Sequence, residues 1–297
     1  MSALLSPEFL ARLARLKLAV RRRFAGSAAG LRRSSRRGAS AEFAEHRPYA
    51  PGDDVRRIDW NAYARLEELV LRLYVAEQDV AVHLLLDTSR SMSLGTPPKV
   101  ETAKRLAAAL GYVALSGSDR VSVLTFGAGL SQAFAPQRGK KQIGTLLRQL
   151  EGLCADGSGT DLASSIELFL SRRPQPGVVI VLSDFLDPAG FARPLDRLVA
   201  SKFEPVLLQV LDREELAPSP GGDLVLEDVE RGEQIEVTLD EAAIRAYRAR
   251  LAAFFESLAD WAKKRGAHYG RVSSDAELEV ALLAYLRGQS TAGAPAP

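Results

Sequence analysis

The sequence predicts a doubly wound α/β domain, with a mostly parallel sheet and helices on both faces. From residue 80 onward, apolar strand-like runs alternate with helix-like segments, the order that builds a parallel sheet. The run Val80 to Leu86 is almost continuously apolar instead of alternating, as expected of a strand buried on both faces. The 297 residues suffice for one large α/β domain with an appendage, and 46% apolar with 26% charged residues is an ordinary globular balance.

Taken in order, Ser6 and Pro7 read as an N-cap and a first helical position. Phe9, Leu13, Leu16, Val20 and Phe24 follow helical spacing, so an amphipathic helix opens the chain. Arg21 to Arg23, Arg32, Arg33, Arg36 and Arg37, mixed with Gly, Ala and Ser, read as a basic loop that completes an extension over residues 1–37. Glu42 to Trp60 is polar, with a turn at Ala50-Pro51-Gly52-Asp53. Leu69 to Val75 and Val80 to Leu86, joined by the short link Ala76 to Asp79, are expected to pair as a hairpin.

Helices are expected at Lys99 to Leu115, Lys140 to Leu150, Asp161 to Leu170 and Pro188 to Ser201. Strands are expected at Arg120 to Phe126, Ser131 to Ala135 (a short edge), Val178 to Leu182 and Pro205 to Leu211. An inserted β-hairpin near residues 224–239 flanks Glu230-Arg231-Gly232-Glu233. Asp240 then caps a long helix, Glu241 to Lys264, followed by a strand at His268 to Val272 and a helix at Asp275 to Leu286. The α/β domain is thus expected to span 80–287, and 288–297 reads as a disordered Gly/Ala/Pro tail.

Composition excludes several classes. A net charge of +2 gives no global field for nucleic acid. The lone Cys154 cannot form an intrachain disulfide, which fits a reducing compartment, and it reads as structural. No apolar run approaches a membrane span, and Arg12, Arg15 and Lys17 interrupt the first segment, so a soluble cytoplasmic protein is expected. His46, His83 and His268 lack metal spacing, and His83, in mid-strand, reads as a satisfied core residue.

The chemistry gathers at strand ends. Val80 to Leu86 runs into Asp87-Thr88-Ser89-Arg90-Ser91, and Val178 to Leu182 into Ser183-Asp184. In a sheet of order 3-2-1-4-5-6 these are the first and fourth strands, neighbours at the switch point where ligands bind. Asp87 and Asp184 therefore point into one crevice, where they repel unless a cation lies between them. Ser89 and Ser91 can turn hydroxyls inward, and the Gly-rich Gly157-Ser158-Gly159-Thr160-Asp161 can carry the Thr160 hydroxyl over the crevice. Two carboxylates and three hydroxyls form an all-oxygen shell that selects magnesium, or manganese or calcium, over zinc or copper. Alone, Asp-x-Ser-x-Ser also fits a helix cap after a strand; the three segments together point to a metal site.

These segments, Asp87-Thr88-Ser89-Arg90-Ser91-Met92, Gly159-Thr160-Asp161-Leu162 and Leu182-Ser183-Asp184, resemble the metal-ion-dependent adhesion site of von Willebrand factor A domains. Upstream, Glu42-Phe43, Arg47-Pro48-Tyr49, Pro51-Gly52-Asp53-Asp54-Val55-Arg56 and Ile58-Asp59-Trp60, with Ala64-Arg65, resemble the bacterial family of domain of unknown function fifty-eight (DUF58), from about Gly38 to the final helix. The resemblance implies a family-specific segment at 38–79 packing on an A-like domain at 80–287. It also implies a protein-binding adaptor whose partner is a MoxR-type AAA+ ATPase or its client. Many members of that family carry transmembrane helices before the A domain. Tyr49 and Trp60 read as core anchors, and Asp53, Asp54 and Arg56 as buried ion pairs or turn hydrogen bonds.

No catalytic activity is expected. An enzyme needs a base or nucleophile beside the metal, and the motifs hold no histidine or cysteine, with Asp161 the one spare acid, able to orient Thr160. A metal-dependent hydrolase is the alternative, and nucleic-acid binding by the basic arm, Arg21 to Arg37, a third. No phosphate loop occurs, so any ATP hydrolysis is a partner's work.

Overall fold

A computed structural model of the chain describes residues 4–6, 8–10, 12–13, 42–51, 53–75, 80–155, 159–219, 221–230, 232–278 and 282. The chain divides into two compact units, one of residues 30–79 and one of residues 1–29 with 80–297. The basic loop, the tail, Gly157-Ser158 and most of the last predicted helix lie outside the described residues.

In the larger unit the six-stranded sheet has the order β10-β7-β6-β3-β4-β5. The strands are β3 (Ala81–Asp87), β4 (Arg120–Phe126), β5 (Leu130–Arg138), β6 (Val178–Ser183), β7 (Glu204–Leu211) and β10 (His268–Ser273). All neighbours are parallel except β4 and β5, so an antiparallel edge closes a parallel sheet. Counted along this unit, that is the predicted 3-2-1-4-5-6 order, and β3 and β6 lie side by side, Leu86 opposite Leu182.

Alternate side chains of each strand pack on opposite faces. On one face Val82, Leu84 and Leu86 meet helix Lys99–Ser116, helix Ile143–Glu151 and the N-terminal Leu4, Leu5 and Leu13. On the other, Leu85, Val179 and Val181 meet helices Leu162–Ser171, Ala192–Ala200 and Glu241–Arg265. Each fully buried Leu or Val contributes about 1.5–3 kcal/mol. Ser6 accepts from Phe9 N at 3.1 Å, as its predicted capping role requires, and Asp240 accepts from Ala243 N at 2.7 Å to start the 25-residue helix. Gly177, just before β6, has no room for a side chain: a Cβ there would lie 2.1 Å from the Ala81 carbonyl oxygen.

His83 is buried, with Nδ1 2.7 Å from Ser122 Oγ and Nε2 2.9 Å from the Gln175 carbonyl, the satisfied core residue expected. The inserted hairpin consists of β8 (Gly222–Glu227) and β9 (Gln234–Leu239).

The expected hairpin between Leu69 to Val75 and Val80 to Leu86 does not form. β3 has parallel neighbours on both edges, β4 and β6, and so has no free edge to offer. Instead β2 (Val70–Val75) pairs antiparallel with β1 (Glu42–Pro48), a strand hidden in the sequence by its polar composition. In this smaller unit Asp53 accepts from Ala50 N at 2.9 Å and pairs with Arg47 at 2.7 Å in an exposed contact, and Asp54 accepts from Arg56 N at 3.1 Å. These are turn hydrogen bonds and a surface ion pair, not buried ion pairs. Asp59 caps the helix Trp60–Leu66. Trp60 is 61% exposed and stacks edge-to-face on Tyr63, so it is no core anchor. Cys154 is likewise exposed.

Among the described residues no helix is long and apolar enough to cross a membrane.

Candidate functional site

Parallel neighbours β3 and β6 end together, and Asp87, the last residue of β3, and Asp184, the first residue after β6, 0% and 1% exposed, come to one place at the carboxyl edge of the sheet. Asp87 accepts from Ser89 N at 2.9 Å and from Ser183 Oγ at 2.5 Å. Ser91 Oγ lies 3.1 Å from Ser89 Oγ and donates to Asp184 Oδ2 at 2.9 Å. A chain of hydroxyls thus runs from the Asp-x-Ser-x-Ser turn to the second carboxylate. Thr88 turns away, to the Phe126 carbonyl, whereas Arg90, expected to face away as well, reaches the Val229 carbonyl at the rim of the adjoining cavity.

Asp184 is held from several sides. Leu186 N donates to Oδ1 at 3.0 Å, and Gln209, itself bonded by Tyr269, donates to the Asp184 carbonyl. The next residue, buried Phe185, adopts a left-handed φ of 60° and donates its N–H to Ser183 Oγ. Such a conformation costs a non-glycine residue about 1–3 kcal/mol and persists where packing over-determines it.

Electrostatically the two carboxylates are unequal. Burial first, and the charge of Asp184 second, push the Asp87 carboxyl up to about 7, against the hydrogen bonds from Ser183 and Ser89. Asp184 has a cation in contact: Lys99, from the first turn of helix Lys99–Ser116, is fully buried and donates to Asp184 Oδ2 at 2.8 Å and to Glu215 Oε1 at 2.6 Å. Burial alone would lower the lysine's pKa. The charges of Asp184 and Glu215 outweigh it and hold the ammonium above the ordinary lysine range.

Thr160 lies across the cavity from this cluster. Gly159, at φ 88°, turns the chain, and Asp161 N bonds the Gly127 carbonyl at the end of β4. Asp161 does not orient Thr160: its carboxylate caps the helix at Ser164 N, 2.8 Å away. Thr160 instead donates Oγ1 to Glu230 Oε1 at 2.7 Å and its N–H to Glu230 Oε2 at 3.0 Å. Asp187, in the loop after β6, accepts from Leu162 N at 3.0 Å and so ties the Asp184 loop to the Thr160 loop. Between them opens a cavity of about 660 Å³, lined by Ser91, Thr160, Leu186, Glu215, Val229 and Glu230 among others.

The structure therefore brings Asp87, Ser89, Ser91 and Asp184 into one hydrogen-bonded cluster and sets Thr160 on the adjoining cavity. Among the described residues no group of three or more His, Cys, Asp or Glu is disposed to hold a metal. The candidate shell relies on hydroxyls instead. Two repelling buried carboxylates with hydroxyls beside them are a hard-oxygen set that fits magnesium, manganese or calcium in chemistry. Sequence reasoning did not find Lys99, Glu215, Asp187 or Glu230. Lys99 and Asp184 are 85 positions apart and Thr160 and Glu230 are 70 apart, beyond any local pattern, whereas Ser183 was visible beside Asp184 but unassigned.

A family model described as "Protein of unknown function DUF58" matches residues 45–255. Uncharacterized proteins from Mycobacterium bovis and from Mycobacterium tuberculosis strain H37Rv are each 32% identical over 251 residues, covering 83% of this chain and 78% of theirs. Among solved structures, a conserved hypothetical protein, BatB, from Bacteroides thetaiotaomicron matches with a TM-score of 0.47 at 21% identity, over 70% of this chain and 96% of that one.

Proposed function

Because the chain belongs to the family described as "Protein of unknown function DUF58", we propose that it is a protein-binding adaptor working through a divalent cation held by Asp87, Ser89, Ser91, Thr160 and Asp184, not through catalysis. One observation carries the reading: buried carboxylates from two adjacent central strands are joined by serine hydroxyls beside an open cavity. Magnesium is the first choice, with manganese or calcium as alternatives.

A bound divalent ion supplies a Lewis-acidic position that an incoming oxygen ligand can take. Asp87 and Asp184 supply the two negative charges that balance such an ion. Ser183, Ser89 N and Leu186 N hold those carboxylates in place. A partner's Asp or Glu would gain by direct coordination to the ion, in a cavity that Glu215 and Glu230 also line. The family resemblance implies a MoxR-type AAA+ ATPase or its client as that partner. The test is a pull-down in magnesium and in EDTA with wild type and Asp87→Ala. Partner capture is expected only with wild type in magnesium, and equal capture in all arms sinks the metal-bridged mechanism.

A second reading rests on Lys99, whose ammonium already neutralises Asp184. In it the cluster is an ion-pair hub that needs no metal. Calorimetric titration with Mn2+ separates the two, because the hub reading expects no binding heat.

A further inference from the structure

The inserted hairpin ends where the partner's carboxylate is expected to enter. Its turn carries Glu230, whose two carboxylate oxygens accept from Thr160 Oγ1 at 2.7 Å and Thr160 N at 3.0 Å. The turn is shaped to present it: Glu230 N donates to Asp228 Oδ1 at 2.8 Å, Gly232 N donates to the Asp228 carbonyl at 2.7 Å, and Gly232 takes a φ of 71°. A second tie joins the same tip to the Asp-x-Ser-x-Ser turn, Arg90 donating to the Val229 carbonyl at 3.3 Å. The hairpin tip therefore touches two of the three motif segments, and Val229 and Glu230 line the cavity with Ser91 and Thr160.

The body of the hairpin is anchored differently. Every residue of β8 is exposed, and Leu226 pairs with Ile235 across the ribbon at 45% and 62% exposure. Two-stranded ribbons are marginal in water, so the contacts at the tip, together with half-buried Val237 and Leu239 of β9, hold this one down.

We propose that Glu230 is an internal carboxylate that closes the candidate metal site, standing in for the partner's acidic side chain and yielding to it when the hairpin lifts. The proposal rests on the metal reading above. It assigns to the insertion the chemistry that the site is built to take, a carboxylate, delivered in cis. A tethered ligand competes at an effective concentration in about the millimolar range, so a weak free carboxylate loses to Glu230, and a partner must add contacts of its own to win. A solvated turn would leave Glu230 in water; here both its oxygens are instead taken up by the threonine that the sequence motif singles out.

Two measurements on the full chain test this, with Glu230→Ala and with Glu230→Gln, which keeps the shape and loses the charge. The first is amide hydrogen exchange in EDTA. Loss of two hydrogen bonds to a charged acceptor is expected to speed exchange of the Thr160 amide and of residues 222–239 by about ten-fold or more in Glu230→Ala, while β3 and β6 stay protected. Unchanged exchange overturns the proposal. The second is Mn2+ loading followed by water-proton relaxation, which counts waters on the ion. Both variants are expected to gain relaxivity over wild type, as a coordination position is freed. Mn2+ bound with equal relaxivity in all three proteins overturns the internal-ligand proposal alone. Failure of every protein to bind Mn2+ overturns the metal reading and this proposal with it.

Discussion

At the carboxyl edge of the sheet, Asp87 and Asp184 are 0% and 1% exposed, each held by at least two hydrogen bonds and backed by strands whose side chains are buried. The β8–β9 hairpin reaches the same cavity from outside, with all six residues of β8 exposed and its tip held by Thr160 and Arg90. The first region is over-determined: its geometry follows from the pairing of β3 with β6, and no single contact sets it. The second depends on a few contacts at one end. If the proposed metal site is right, this division would serve it, with the carboxylates on strand ends and a less buried ribbon over the cavity.

Substitutions can break or sharpen that contrast. The largest effect is expected at Lys99. Lys99→Met leaves buried Asp184 and half-buried Glu215 beside each other without their ammonium, so metal-free stability should fall by about 3 kcal/mol in urea denaturation. A loss below about 1 kcal/mol would mean that the remaining contacts hold the sheet edge without the ammonium, so that no single partner of Asp184 is needed. Next is Asp87→Ala, which removes half of the shell's charge. Mn2+ affinity by calorimetry should drop by more than about 100-fold, beyond what loss of an outer partner produces. Wild-type melting should shift by only a few degrees on chelation, since a weakly bound ion at ten times its Kd adds about 1.4 kcal/mol.

A third test uses His83, on the same strand as Asp87 but inside the core. Burial holds its pKa below the ordinary imidazole range, against the Gln175 carbonyl, which raises it. The unfolded chain therefore binds a proton that the folded chain resists. Stability from this group is complete above about pH 6.5 and is lost as pH falls below it, by up to about 1.4 kcal/mol per pH unit. Asp87 contributes with the opposite sign in metal-free protein, because its raised pKa makes the folded state the better proton binder below about 7. Comparing wild type with His83→Gln at pH 5 and pH 7.5 cancels that term, and the acid sensitivity should shrink in the variant. The smallest effect is expected on the hairpin. Ile235→Lys, at a position 62% exposed, should change the melting free energy by less than about 0.5 kcal/mol. A larger loss would show that the ribbon is buried against something and is not the loosely held element described above.

The strand and helix order from residue 80 to the strand His268–Ser273, the insertion and the capping roles of Ser6 and Asp240 were legible because each rests on local signals: apolar period, turn residues and cap residues. β1 was not, since Glu42–Pro48 carries no apolar run and owes its strand form to its partner β2. Proximity in sequence also misassigned β2 to β3, because whether a strand edge is free depends on neighbours that arrive later in the chain.

At the site, the sequence alone singled out Asp87, Ser89, Ser91, Thr160 and Asp184 as candidate donors, because a short turn after a strand fixes which side chains share a side, and strand order fixes which turns meet. Tertiary structure decided what neutralises and covers those donors: the ammonium of Lys99 on Asp184, the tether of Asp187 between two loops, and the carboxylate of Glu230 on Thr160. The physical reason is range. Backbone geometry acts over a few residues and leaves a periodic trace, whereas a charge finds its counter-charge through space, and elements 70 or 85 positions apart become neighbours only once the sheet has closed.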